Sequence, residues 1–208
     1  MAAWPAQTIK QAMETLARFE FVEPAGRAQV VMTPVGVAGL ITPWNSDAGF
    51  ICRKLATAMA AVCTAVIKPS EMSAWQTQIV TEALHAAQIP AGVVNIVTGR
   101  GDVVGDIINH HPDIAKISFT GSTAVGKHII ASGAHTLKPG GKSPTLILDD
   151  ADAQQAVALA IESGRVLVNT LEHEPQAPFG GFKQSGLGRE MGKWGMQAYL
   201  EPKTVMVG

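Results

Sequence analysis

Three short stretches of this chain place polar side chains where chemistry could be done. They are Pro43-Trp44-Asn45, Lys68-Pro69-Ser70-Glu71 and Phe119-Thr120-Gly121-Ser122. An ammonium and a carboxylate three residues apart, Lys68 and Glu71, could hold the two hydroxyls of a ribose. The same pair at a helix entry is also an ordinary surface ion pair, which contributes little. Gly121 and Ser122 put small residues at the start of a helix, where free N–H groups and the helix dipole favour a phosphate. They also read as a tight strand-to-helix turn. Gly121 to Lys127 spells GxxxxGK, the start of a P-loop, but His128 stands where a Ser or Thr should hold magnesium. No GxGxxG follows the first strong strand, at Val35–Thr42. These residues alone leave the identity of any cofactor open.

The other polar residues read as structural. The histidines, including His110-His111, show no helical i,i+4 pairing and no carboxylate constellation of ligand type. Glu172-His173-Glu174 reads as a polar loop rather than a metal cluster. Cys52 and Cys63 lie in apolar surroundings, and two cysteines make neither a disulfide framework nor a zinc site.

The elements that must position Asn45, Lys68, Glu71 and Ser122 alternate regularly. Apolar, β-branched runs at 35–42, 64–68, 93–98, 114–119 and 145–148 read as buried strands. Between them, 48–61, 73–88, 102–109 and 120–132 read as helices, with Asp149-Asp150 opening one more at 153–162. In the 73–88 helix, Trp75, Ile79, Ala83 and Ala87 form the expected buried stripe. In the 102–109 helix, Val103, Val104, Ile107 and Ile108 are expected to face inward. A helix over 6–21, ended by Glu23-Pro24-Ala25-Gly26, and a strand over 28–32 precede this series. A strand at 165–169, a Gly-rich loop, a helix over 189–200 and a strand over 204–207 follow it. The pattern predicts an α/β fold with a Rossmann-like, doubly wound parallel sheet and a short C-terminal helix-strand arm. The polar stretches fall after strands, at the ends where open α/β sheets bind ligands.

Composition sets the outer bounds. With 47% hydrophobic and 16% charged residues in 208, the chain can fill a sizeable core. A net charge of −1 without a basic run gives no electrostatic case for nucleic acid or a membrane surface. The N-terminus lacks the charged start and apolar core of a signal peptide. A cytoplasmic protein is expected.

At Pro43-Trp44-Asn45, Lys68–Glu71, Phe119–Thr123 and Gly140–Pro144, in this order and spacing, the sequence resembles the aldehyde dehydrogenase superfamily. Pro178–Glu190 and the Lys203-Thr204-Val205 strand are similar to that family's C-terminal segment. The resemblance implies an NAD(P)-binding domain in which the nucleotide lies differently from the GxGxxG pattern. It implies NAD as cofactor, with NADP possible. Lys68 and Glu71 would contact the adenosine ribose, Ser122 the pyrophosphate with Gly121 allowing close approach, and Trp44 would line the cofactor channel. The Asn45 amide would donate to the oxyanion formed when a thiol adds to an aldehyde.

The departures from the family's pattern are as informative. The family's cysteine nucleophile belongs to a catalytic domain that should follow the 153–162 helix. Here that helix runs into Ile161–Val166, which resembles the segment after the catalytic domain. The family's general-base glutamate also drops out, with Pro139 at the join. Residues 1–164 are expected to form the nucleotide-binding domain and 165–208 a C-terminal segment. The expected protein is an aldehyde dehydrogenase relative, truncated largely to its nucleotide-binding part, with NAD(P)-dependent aldehyde oxidation impaired or lost, and a homo-oligomer. The alternatives are a non-catalytic oligomerising module, since the 28–32 and 204–207 strands belong to the family's oligomerisation arm, or a new activity, such as hydrolysis, in the vacated cleft.

Overall fold

The computed structural model describes residues 3–132, 174–181 and 187–206, together with the backbone of short strands at 137–139, 145–146 and 167–168. Its centre is a five-stranded, all-parallel sheet of β3 (Val37–Ile41), β4 (Thr64–Lys68), β5 (Val94–Ile96), β6 (Ile114–Gly121) and β7 (Leu137–Pro139). The order β5-β4-β3-β6-β7 puts the first strand in the middle. The chain winds outward through β4 and β5, then crosses back to β6 beside β3. Crossovers α2 (Asp47–Ala60) and α3 (Ala74–Ala86) serve the first half; α4 (Asp106–His110) and α5 (Thr123–Ser132) serve the second.

Two apolar clusters show that both faces of the sheet are covered. One joins Leu40, Ile67, Ile51 and Leu55 to Met196 and Tyr199; the other joins Ile117 and Phe119 to Ile108 and Ile129. Fully burying side chains such as Ile51 and Leu40 stabilises the fold by roughly 1.5–3 kcal/mol each. This is the doubly wound α/β arrangement. The topological switch lies between β3 and β6, so the chain ends leaving those strands diverge and open a crevice there.

A second, antiparallel sheet of β1 (Val22–Ala25), β2 (Ala28–Pro34) and β10 (Leu200–Met206) brings the two ends of the chain together. The remaining short strands, β8 (Thr145–Leu146) and β9 (Leu167–Val168), pair with each other in parallel. The C-terminal helix α6 (Gly192–Gln197) leads into β10 and contributes Met196 to the main core.

Several local expectations give way. α1 (Ala3–Leu16) stops five residues before Phe21. Its last turn tightens through Arg18 N–H to Thr15 and Phe19 N–H to Leu16. Glu23-Pro24-Ala25 is the edge strand β1, and the turn after it uses Gly26 at φ +62. Pro24 is tolerated there because an edge strand does not need its N–H. In α3 the expected stripe is out of phase: Trp75 and Ile79 are exposed, while Ser73, Thr77 and Val80 are buried. In the 102–109 segment a widened π turn at Gly101–Gly105 precedes α4. Val104 and Ile108 face the sheet and Val103 and Ile107 face out, since one helix stripe cannot carry all four. The segment before α6 begins as a bridge between Phe179 and Glu190, and from Leu200 the chain is already strand. The expected 153–162 helix, the 164/165 boundary and Glu172-His173 lie outside the described residues.

A buried ionic cluster fastens this C-terminal part to the sheet. Lys54 of α2, with its side chain 1% exposed, donates to Glu190 Oε1 at 2.7 Å and to Ser118 Oγ on β6 at 2.8 Å. Arg53 Nη1 lies 3.7 Å from the other Glu190 oxygen. Burial pushes the Lys54 ammonium below the usual lysine range, opposed by the Glu190 carboxylate. The Arg53 guanidinium stacks over Trp4 at 4.9 Å and also faces the Phe50 and Phe179 rings.

Candidate functional site

A cleft of about 1230 Å³ opens at the carboxyl ends of β3, β4 and β6, where the topology switches. Ile41 to Asn45 line it from the end of β3, Lys68, Ser70 and Glu71 from the end of β4, and Phe119 to Ser122 from the end of β6. All six residues singled out by the sequence therefore border one cavity: Trp44, Asn45, Lys68, Glu71, Gly121 and Ser122.

The Lys68 side chain is 4% exposed and its Nζ donates to Glu71 Oε2 at 2.8 Å. β4 ends at Lys68, Pro69 forbids the strand to continue, and Ser70 Oγ caps the following turn by accepting from the Met72 N–H at 3.3 Å. That turn returns Glu71 over the lysine. The Lys68 hydrogen bond holds the Glu71 carboxyl below the usual carboxylate range, so it remains ionised into mildly acidic solution. Glu71 keeps half of its surface open, leaving oxygen acceptors for a ligand.

Across the crevice, Ser122 caps α5 by accepting from the Val125 N–H at 3.3 Å. Gly121 has no room for a side chain: a Cβ there would lie 2.5 Å from Phe119 Cζ. The small residue thus lets the backbone pass over the Phe119 ring and brings the start of α5 to the cleft. Trp44 is 61% exposed, and Asn45 beside it is exposed too.

The turn carrying Trp44 and Asn45 is held from below by a residue that sequence reasoning passed over. Asp47 is fully buried; it accepts from Thr42 Oγ1 through one oxygen and from Thr77 Oγ1 at 2.9 Å through the other. The carboxylate also sits in the first turn of α2, where the dipole favours it. It explains the phase of α3: Thr77 turns inward because Asp47 needs a donor. Asp47→Ala is expected to destabilise the fold by about 2–3 kcal/mol, since two buried hydroxyls lose a charged partner. Chemical denaturation measures this, and loss below about 0.5 kcal/mol would contradict it.

Further along the wall, Arg100 pairs with Asp102, and His128 Nε2 lies 2.8 Å from Asp106 Oδ1. Both pairs are exposed and both border the cleft. The hydrogen bond from His128 holds the Asp106 carboxyl below its ordinary range. Neither pair was singled out from the sequence. Arg100 and Asp102 follow a strand end as Lys68 and Glu71 do, and that signal could have flagged them. The Asp106–His128 contact joins two helices and leaves no local trace. Among the described residues there is no group of three or more His, Cys, Asp or Glu able to hold a metal ion. Among the described residues no helix is long and apolar enough to cross a membrane.

Neither cysteine borders the cleft: Cys52 is 7% and Cys63 3% exposed, both within the main core. Burial pushes the Cys52 thiol up, away from thiolate chemistry.

The sequence model of the aldehyde dehydrogenase family matches residues 2–163 and 155–205. A 3-succinoylsemialdehyde-pyridine dehydrogenase from a Pseudomonas species is 40% identical over 164 residues, which are 76% of this chain and 34% of that protein. A chloroplastic betaine aldehyde dehydrogenase of Beta vulgaris is 43% identical over 136 residues, 63% of this chain and 27% of that protein. The chain thus spans about a quarter to a third of the length of the curated relatives it matches. In fold it is similar to an aldehyde dehydrogenase C mutant from Pseudomonas syringae in complex with NAD+ and octanal. That pair has a TM-score of 0.91 at 23% identity, covering 98% of this chain and 76% of the other. An NAD+ complex of an aldehyde dehydrogenase from Bacillus cereus gives a TM-score of 0.89 at 21% identity, covering 99% and 75%. With most of this chain matched by the family model and an α/β fold with a parallel sheet in place, the chain belongs to the aldehyde dehydrogenase family.

Proposed function

We propose that the cleft binds the adenosine diphosphate half of NAD and that this chain does not by itself oxidise aldehydes. The observation that carries the reading is the convergence of Lys68, Glu71, Gly121 and Ser122 at the switch point of the sheet. The residues present fit such a group. The Lys68 ammonium can donate to one ribose hydroxyl, and the Glu71 carboxylate can accept from its neighbour. Ser122 and the N–H groups opening α5 suit the diphosphate, and the absence of a Cβ at Gly121 allows close approach. Trp44 offers an exposed ring to the part of the ligand that leaves the cleft. When bound, NAD supplies a hydride acceptor. Relatives crystallised with NAD+ support the choice of cofactor.

The catalytic side is incomplete. The Asn45 amide can donate to an oxygen that gains negative charge, but neither cysteine borders the cleft to add to a carbonyl. The two segments matched to the family overlap at 155–163, which supports a junction there between parts that flank the catalytic domain in longer relatives.

ADP is therefore expected to bind about as tightly as NAD, with NADP weaker because Glu71 repels a 2′-phosphate. Calorimetric titration of the three ligands tests this. A clear advantage of NAD over ADP would show that the nicotinamide half is held as well, and no heat with any of them would remove the reading.

We further infer that the chain self-associates. Among the described residues β1 and β10 are the unpaired edges of the three-stranded sheet, and apolar side chains such as Trp75, Met72 and Ile79 stand exposed. Light scattering should report a dimer or larger closed assembly, and a stable monomer at micromolar concentration would contradict it. The interaction-module reading rests on the same edges; it would gain if association were strong and nucleotide binding absent.

A further inference from the structure

We propose that Asp102 makes the cleft select NAD over NADP: by holding Arg100 in a two-point pair beside Lys68 and Glu71, it keeps that cation from a ribose 2′-phosphate. This rests on the reading of the cleft as a nucleotide site.

Lys68 and Glu71 are half of a four-charge corner. The other half, Arg100 and Asp102, lines the same cleft and stands open to solvent, with side chains 76% and 61% exposed. Gly101, between them in sequence, packs against the first pair: a Cβ there would lie 3.8 Å from Lys68 Nζ. The two pairs feel each other's charge. The hydrogen bond and charge of Asp102 hold the Arg100 guanidinium above its ordinary range, and the Glu71 charge adds to this. Asp102 is held below its own range by Arg100, with a smaller contribution from Lys68.

The geometry of the pair decides what Arg100 can do. Its Nε donates to Asp102 Oδ1 at 3.0 Å, and its Nη2 donates to Oδ2 at 2.5 Å. Those two N–H groups form the edge of the guanidinium that takes a phosphate in the same forked manner. With Asp102 in place the corner is neutral, two cations against two carboxylates. A 2′-phosphate arriving beside Glu71 would meet both carboxylates, while the arginine able to offset them has its fork filled. A free 2′-hydroxyl brings no charge and meets no such repulsion. Glu71 alone does not settle the choice, because an unpaired arginine next to it would offset much of its field.

Calorimetric titration of NAD and NADP into wild type, Asp102→Asn and the double variant Asp102→Asn/Arg100→Gln tests this. An exposed ion pair contributes little to the fold, so the variants should melt with the wild type. Asp102→Asn should raise NADP affinity relative to NAD about tenfold, the lower end for a hydrogen bond to a charged group. The double variant should return to the wild-type ratio. Asp106→Asn removes the same charge from elsewhere on the cleft wall and should leave the ratio unchanged. The proposal is overturned by wild type that binds NADP as tightly as NAD, or by an unchanged ratio in Asp102→Asn. A gain that survives the loss of Arg100, or an equal gain in Asp106→Asn, overturns it as well. The two readings fail distinguishably. Wild type that binds neither NAD nor ADP removes the nucleotide site and this inference with it, whereas NAD binding with an unmoved ratio removes this inference alone.

Discussion

NADH formation by this 208-residue chain is expected to stay at background with any aldehyde, even at saturating substrate. On the proposed reading, the Asn45 amide is the one group of the family's chemical set that the cleft presents among the described residues. A single oxyanion donor lowers a barrier by about 3–4 kcal/mol. Enzymes lower theirs by roughly 8–23 kcal/mol. The remainder needs a tethered nucleophile and a base. Cys52 and Cys63 supply neither: both are buried in the main core, and the Cys63 Sγ is spent on the Tyr199 carbonyl at 3.4 Å. Joint replacement of Cys52 and Cys63 by alanine should leave the background rate unchanged. Turnover in the wild type that vanishes in the double variant would mean one of these thiols reaches a bound aldehyde, and the proposed loss of chemistry would be wrong.

Glu190→Ala should be among the most damaging single substitutions for stability. It removes the carboxylate shared by Lys54 and Arg53, whose side chains are 1% and 14% exposed. Leaving a buried charge without its partner costs about 3–5 kcal/mol. For a domain of this size that corresponds to a fall in melting temperature on the order of 10 °C. The pH dependence has a definite sign. Lys54 already titrates below its unfolded value because of burial, and without Glu190 the depression deepens. The native state then binds fewer protons than the unfolded chain over a wider alkaline window, so the variant's stability should rise with pH across it. Thermal melts of wild type and variant over a pH series measure both effects. A variant that melts with the wild type at neutral pH would show that the cluster contributes little.

The frame of the fold was legible because its strands are buried on both faces. Continuous runs such as Val37–Ile41 and Thr64–Lys68 have one reading, and each is followed by a breaker or a capped helix. The convergence of Lys68, Glu71, Gly121 and Ser122 followed from that frame, since each lies at the end of a strand. What was not legible depends on pairs distant in sequence. The inward turn of Thr77 is dictated by Asp47, thirty residues earlier, so the apolar types at Trp75 and Ile79 gave the wrong face of α3. The Lys54–Glu190 tie spans 136 residues, and neither partner announces burial by its type. Phe19 and Phe21 suggested more of α1, yet they pack edge to face, 5.0 Å apart, in the chain beyond its end. Val103 and Ile107 were placed inward on apolarity alone, and nothing local distinguishes them from Val104 and Ile108.

The central claim is that the cleft at the ends of β3, β4 and β6 takes the adenosine diphosphate end of the cofactor. Mapping backbone amide chemical shifts of the full chain during an ADP titration tests it most directly. The account predicts saturable shifts at Lys68, Glu71, Gly101, Gly121 and Ser122, with α1 and the β1-β2-β10 sheet unaffected. Shifts confined to those outer elements, or none at saturating ADP, would contradict it.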